Sequence, residues 1–301
     1  MLRKFFVIGL LLVLAQTVPA QSNDTFTVGS YNVENWNSIE RNKKLNQPKP
    51  LAEREAVVAV ITAVHPDVLG IQEMGNTNDL AELLTMLAAK GLHYPHWEHV
   101  QAHDQDRHVC LLSRFPIVQR NSRVDYTYSI GEKSYSIGRG ILDVVIQVND
   151  HYSFRAVVVH LKSKRTTEDG DQAVMRLEEA KLLRAHLGKA LTQDPQLNLI
   201  ALGDFNDSLD TTTLKTIIGD APFNFFPLPC KSEKGYENTH FWARQKEWSR
   251  IDYLLTSPGL SPEFITGSAK LHESPEAGKA SDHRLISASF CEHEVAAPAK
   301  P

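Results

Sequence analysis

The sequence is poor in cysteine: Cys110, Cys230 and Cys291 are the three it holds in 301 residues. An odd and small number excludes the dense disulfide framework that staples small secreted domains. A single bridge between Cys230 and Cys291 stays open, and Cys110, inside an apolar run, reads as buried. There is no basic surplus either, since 32 Lys and Arg stand against 36 Asp and Glu for a formal charge of -4. Phosphate contacts rest mainly on Lys and Arg, so the chain as a whole is a poor non-specific binder of polyanions. An anionic substrate would need a local basic patch or a metal. No internal repeat, low-complexity block or linker interrupts Thr25 to Glu294, which excludes repeat arrays and favours one domain.

Long hydrophobic runs are absent except at the start. Arg3 and Lys4 precede an apolar stretch from Phe5 to Ala15, and Val18-Pro19-Ala20 supplies small residues for cleavage. This is the pattern of a secretory signal peptide spanning residues 1–20, too short to span about 30 Å of hydrocarbon as an anchor. No Cys follows Ala20, which argues against a lipid anchor. Loss of Arg3 and Lys4 takes the charge from -4 to -6. The mature chain is expected to be secreted or periplasmic, with a catalytic domain over 25–294 and a disordered tail over 295–301.

What is present is a succession of strands with a few amphipathic helices. Strands are predicted at Thr27–Val33, Asp67–Gln72, Val109–Leu112, Ile117–Val124, Ile141–Val148, Tyr152–His160, Leu197–Leu202, Ile251–Leu255 and Leu285–Phe290. Helices are predicted over Leu51–Val64, Asn78–Ala89, Asp171–Leu191 and Thr211–Ile218. The third has apolar residues at Val174, Leu177, Ala180, Leu183 and Leu187, at helical spacing. The mixture indicates an α+β domain with helices on the outer faces of packed sheets.

Polar residues that amphipathicity does not explain recur where predicted strands stop. Asn32 and Glu34 end the first, Glu73 the second, His160 the long central one, and Asp204 with Asn206 the next. Asp252 opens a later strand, and Ser281-Asp282-His283 precedes the last. Singly, each reads equally as a cap or a solvated strand end. Together they form an oxygen-rich donor set without Cys or H-x-x-x-H spacing, which suits Mg2+, Mn2+ or Ca2+ rather than structural zinc. A divalent ion beside two histidines and spare carboxylates is the equipment for phosphoester hydrolysis.

At this point the residues carry a resemblance. Ser30-Tyr-Asn-Val-Glu-Asn35, Ile71-Gln-Glu-Met74, Val159-His-Leu-Lys-Ser163, Leu202-Gly-Asp-Phe-Asn-Asp207, Arg250-Ile-Asp-Tyr253 and Ser281-Asp-His283 follow the order of the endonuclease/exonuclease/phosphatase superfamily. The chain resembles its deoxyribonuclease-like members, in particular exported bacterial nucleases, over Thr25 to Cys291. The resemblance implies a four-layer αββα sandwich of two mostly antiparallel sheets, with the site at one end. It implies Asn32, Glu73 and Asp282 as metal ligands, and Asp204 as the group that activates water. Asn206 would hold phosphate, and His283, polarised by Asp252, would bind the scissile phosphate. His160 matches the second histidine of the deoxyribonuclease branch, and Arg139 a phosphate-contacting position.

Lys162, Lys164 and Arg165 follow His160 as a basic cluster in an acidic chain, suited to a nucleic-acid backbone; otherwise they form a solvated loop. No exposed aromatic hairpin of the kind that would enter a membrane is evident. Phe223-Asn-Phe-Phe226 reads as a core loop, and Tyr94–Trp97 and Phe241-Trp242 as structural, with Trp242 a possible border of the groove. The expectation is therefore a Mg2+-dependent monomeric phosphodiesterase acting on nucleic acid, without stable membrane association. A lipid or small-molecule phosphoesterase is the alternative. An idle binding module is disfavoured because Glu73, Asp204, Asp252, Asp282 and His283 are all present.

Overall fold

The computed structural model describes residues 24–41, 43–165, 168 and 170–296; the expected signal peptide and the end of the tail lie outside them. In chain order the main strands are β1 (Thr25–Trp36), β2 (Val68–Met74), β3 (His96–Val100), β4 (His108–Ser113), β5 (Ile117–Arg120), β6 (Leu142–Asn149), β7 (Tyr152–His160), β8 (Leu199–Asp204), β9 (Phe226–Pro227), β10 (Asp252–Thr256), β11 (Lys270–Leu271) and β12 (Ile286–Cys291). The helices are α1 (Leu51–Val64), α2 (Thr77–Ala88), α3 (Gln172–Gln193), α4 (Thr212–Ile218) and α5 (Ala277–Ala280).

One six-stranded sheet runs β11-β12-β1-β2-β4-β3 and the other β9-β10-β8-β7-β6-β5. Each is antiparallel except for one central pair: β1 with β2, and β7 with β8. A parallel pair needs a crossover, which α1 and α3 supply. Pro50 precedes α1 and Pro66 follows it, punctuating the helix at both ends. Asp171 caps α3 by accepting from the amides of Ala173 and Val174.

The inner faces of the sheets meet in a core that includes Val28, Val68, Leu111, Leu142, Phe154, Val158 and Leu202. There the sheets approach so closely at Gly70 that a Cβ would lie 2.8 Å from Leu202 Cδ1 and 3.0 Å from Val158 Cγ2. The outer face of the first sheet is covered by α1 and α2 through Val57, Ile61 and Leu83. The second is covered by α3 and α4 through Leu183, Leu187, Leu214 and Ile217. The order helix, sheet, sheet, helix is the expected αββα sandwich. Among the described residues, no helix is long and apolar enough to cross a membrane.

Several expectations change. Cys230 and Cys291 are free thiols, as is the buried Cys110. The strand predicted to Val124 stops at Arg120. In the first turns of α3, Val174 is exposed and Leu177 only half-buried, while Gln172, Met175, Arg176 and Glu179 face inward. These polar groups turn in because the loops beneath them offer partners. The sequence also concealed three hairpins: Ser38–Arg41 with Lys44–Pro48, Thr127–Ile130 with Lys133–Ser136, and His240–Trp242 with Glu247–Ser249. The last is the aromatic hairpin that seemed absent, with Trp242 and Trp248 exposed at 40% and 46%. In the loop at Phe223–Phe226, Phe225 is buried but Phe226 faces solvent.

Candidate active site

The site is built where the central strands of both sheets end. Pairing of β7, β8 and β10 puts His160 opposite Asp204 and Asp204 opposite Asp252, three side chains in one row. The first sheet brings Asn32 from β1 and Glu73 from β2. Here the β1–β2 register slips between Asn32 and Trp36, and Glu34, Asn35 and Glu73 take left-handed φ values of 50°, 55° and 61°. Such a bulge re-aims side chains at the cost of local strain. Its result is that Glu73 Oε2 accepts from the Asn35 amide at 3.0 Å.

The two halves are tied directly. Asn32 Nδ2 donates to Asp204 Oδ2 at 3.1 Å, and Ser281 Oγ donates to the Asn32 carbonyl at 2.8 Å. Asp204 Oδ1 accepts from the Asn206 amide at 2.9 Å, while Asn206 Nδ2 donates to the Leu161 carbonyl at 3.0 Å. Gly203 allows this corner: at φ 141° a Cβ would lie 2.0 Å from the Val159 carbonyl oxygen. His283 Nδ1 donates to Asp252 Oδ2 at 2.9 Å. Its Nε2 lies 3.8 Å from both Asp204 Oδ2 and Asp282 Oδ1. His160 Nε2 lies 3.5 Å from Asp204 Oδ2 and 3.9 Å from Glu73 Oε1. Thr239 Oγ1 accepts from the amides of Ile251 and Asp252, each at 3.1 Å, and so fixes Asp252.

Electrostatics divide the two histidines. Burial disfavours a cation at His283, but Asp252, with Asp204 and Asp282, overrides it and holds the imidazolium well above the usual histidine range. Burial, with the charges of Arg139, His283 and Arg107, holds His160 well below that range. Asp204 is pushed up to about 7 by burial and the neighbouring Asp252. Asp282 would be raised by burial, yet its hydrogen bond with His240 and the charge of His283 bring it below the usual carboxylate range. The site thus pairs a cationic histidine with a carboxylate poised to take a proton.

The sequence-derived set converges at Asn32, Glu73, His160, Asp204, Asn206, Asp252, Asp282 and His283. Arg139 is buried beside it, with Nε 3.1 Å from Asp104 Oδ2. The basic cluster is less uniform. Lys164 Nζ is paired with Asp207 Oδ1 at 3.1 Å, the Lys162 amide donates to Glu179 at 2.7 Å, and Arg165 is exposed. Asp207, unassigned from sequence, also meets Arg176 Nε at 3.1 Å, and so clamps the loop after His160 to α3.

Sequence reasoning placed Glu34 at the end of the first strand without a role, and it missed Lys49, Arg107 and His240. Glu34 Oε2 accepts from the Asp282 amide at 3.1 Å, and burial and Asp282 raise its pKa. Lys49, 1% exposed, donates to the Glu34 carbonyl at 3.0 Å. Arg107 Nε lies 4.0 Å from Glu73 Oε2. His240 packs against His283 with ring centroids 4.6 Å apart and the ring planes tilted by 44°. Only Glu34, inside the Ser30–Asn35 motif, carried a local signal; the others reach the site through tertiary packing.

The donor set fits a divalent cation. Buried and half-buried carboxylates converge there, and Asp204 and Glu34 are raised by burial first and then by Asp252 and Asp282 beside them. Asp204, Asp252 and His283, and likewise His240, Asp282 and His283, gather their polar atoms within 4.8 Å of one another; with His283 cationic, the carboxylates are the members left to bind an ion. Hard oxygen donors of this kind suit Mg2+ or Mn2+.

Residues 29–283 match the Endonuclease/Exonuclease/phosphatase family. The chain belongs to that family. Its members are typically phosphoester hydrolases dependent on a divalent metal. No curated protein matches the sequence, but solved structures share the fold. A truncated TDP2 from Caenorhabditis elegans superposes with a TM-score of 0.59 at 16% identity, covering 89% of this chain and 97% of its own. Sphingomyelinase C from Streptomyces griseocarneus gives 0.60 at 17% identity, covering 88% and 99%. The human Nocturnin catalytic domain with bound sulfate gives 0.62 at 17% identity, covering 89% and 94%. As a member of the endonuclease/exonuclease/phosphatase family, the chain has the two-sheet architecture that these structures share.

Proposed function

We propose that this protein is an exported, divalent-metal-dependent phosphodiesterase that hydrolyses nucleic acid. The observation that carries the chemistry is the relay Asp252–His283 facing Asp204, with Asn32 and Asn206 fixing both Asp204 oxygens. Asp204 orients the attacking water and takes its proton. His283, kept cationic by Asp252, donates from Nε2 to the phosphoryl oxygens as charge builds there. His160, neutral and buried, faces Asp204 and limits how the carboxylate can turn. Glu73, Asn32 and Asp282, with Glu34 beside them, would hold the metal. When bound, it would neutralise phosphate oxygens and support the leaving group.

The nucleic-acid reading is supported by where the cations stand. The hairpin bearing Arg41, Lys43 and Lys44 follows β1, and Lys162 and Arg165 follow β7. Both therefore leave the sheets at the end that carries Asn32 and His160. In a chain negative overall, cations that follow both strands at this end support contact with a nucleic-acid backbone. One observation favours a lipid phosphoester instead: Trp242 and Trp248 are exposed on the hairpin that packs His240 against His283, and a sphingomyelinase shares the fold.

Purified protein with Mg2+, assayed on plasmid DNA, RNA, sphingomyelin and inositol phosphates, separates the readings. Cleavage of nucleic acid, abolished by EDTA and restored by Mg2+ or Mn2+, is the expected result. Turnover of sphingomyelin alone would overturn the nucleic-acid reading, and full activity in chelator would overturn the metal.

A further inference from the structure

The bend that aims Glu73 is held from behind by two histidines. His99 on β3 and His108 at the start of β4 converge on one atom, the carbonyl oxygen of Gly75. His99 Nε2 and His108 Nδ1 each lie 2.8 Å from it. The two nitrogens are 3.3 Å apart, and the rings meet edge to face with centroids 5.0 Å apart. A carbonyl oxygen only accepts, so both nitrogens carry hydrogens and both tautomers are set. His108 is 1% exposed, and its Nε2, left as an acceptor, finds no partner among the described residues. Buried polar atoms normally find one. Retaining an imidazole there at that cost points to orientation of the carbonyl rather than to burial.

Gly75 lies two residues beyond Glu73, which holds a left-handed φ of 61°. Around Glu73, β2 slips register against both neighbours, β1 and β4. From the other side the Gly75 amide donates to the Trp36 carbonyl at 2.8 Å. Gly75, two residues past the strained one, is thus held at its amide by β1 and at its carbonyl by the histidine pair.

We propose that His99 and His108 are positioning residues that hold the Glu73 bend through the Gly75 carbonyl and thereby set the affinity of the divalent-cation site. The inference rests on Glu73 being a metal ligand. Groups that orient a ligand from behind it commonly change metal affinity by tenfold or more.

Amide side chains test the geometry, because a Gln amide nitrogen reproduces the position of His Nε2 and an Asn amide nitrogen that of His Nδ1. His99→Gln and His108→Asn keep the donor in place; His99→Asn falls short of the carbonyl and His108→Gln overshoots it. Metal-free wild type, these four variants and Glu73→Gln are titrated with Mn2+ by calorimetry, with thermal melts alongside. The matched variants should bind Mn2+ within about twofold of wild type, and the mismatched ones about tenfold more weakly, as should Glu73→Gln. A structural requirement for volume alone cannot produce this crossed pattern. If Glu73→Gln loses affinity while all four histidine variants bind alike, the clamp is overturned and the metal reading stands. If Glu73→Gln binds as wild type does, both fall. If the mismatched variants do not fold, the matched pair decides: a loss of more than about fivefold there overturns the clamp, and wild-type affinity supports it.

Discussion

At the scale of single residues, the site works by giving similar groups opposite surroundings. His283 and His160 both approach Asp204 Oδ2, yet one is held cationic by a buried aspartate and the other neutral by burial beside arginines. Asp252→Asn should therefore remove the cation without disturbing the backbone. Turnover is expected to fall by roughly a thousandfold, as for other acid–base and charge-stabilising groups, with a thermal melt close to wild type. An unchanged rate in a steady-state assay would remove His283 from the mechanism. Gly203 is a different case, because its φ of 141° and the carbonyl of Val159 leave no room for a side chain. Gly203→Ala should cost about 3 kcal/mol or more in urea denaturation, from strain and a forced shift of backbone.

At the scale of elements, α3 is more than a cover for its sheet. One turn of it places Glu179 and Arg176 inward. Glu179 accepts from the amides of Gly138 at 3.1 Å and Lys162 at 2.7 Å, and Arg176 reaches the Lys162 carbonyl at 3.2 Å and Asp207 at 3.1 Å. The loops bearing Arg139, Lys162 and Asn206 are thus knitted by a helix on the outer face of the second sheet. Glu179→Gln keeps one acceptor but sets an amide NH2 against a backbone N–H, at a cost of about 1–3 kcal/mol. It should raise KM for a polymer more than for a small phosphodiester; equal effects would confine Glu179 to stability. This helix also shows the limit of periodicity. Ala180, Leu183 and Leu187 were legible as its buried face, but an inward Glu and Arg look like solvated charges until the loops that need them are in place. By contrast, α1 and β7 were legible to the residue, the former from Val57, Val60, Ile61 and Val64 at helical spacing with Pro66 to end it, and the latter from its apolar run. β3 was not, because in His96-Trp-Glu-His-Val100 only the last residue is fully buried at that sheet edge. Most of the site was legible because it is assembled from short motifs at strand ends. Lys49, Arg107 and His240 were not, because nothing local distinguishes them.

At the scale of the whole molecule, the end remote from the site has its own pH dependence. Glu263 is buried, accepts from the Tyr152 hydroxyl and stands beside Glu294; burial pushes its pKa up to about 7. A carboxyl whose folded pKa is raised stabilises the fold fully below its unfolded pKa and loses that contribution as pH rises through the folded one. Wild type should thus lose stability between about pH 4.5 and 7 relative to Glu263→Gln, which stays neutral throughout. Urea midpoints of the two proteins at pH 5 and 7 check this, and parallel curves would refute it. The same end joins the first main strand to the last: Thr25 pairs with Cys291, and the Glu292 amide donates to the Asp24 carbonyl at 2.9 Å. Asn32 lies seven residues further along β1, roughly 23 Å away for an extended chain. A surface, bead or fusion partner attached near Asp24 or Glu292 would therefore face away from the catalytic mouth. The protein can be tethered there with its site open to solvent, so immobilisation is compatible with the polymeric substrate proposed for it.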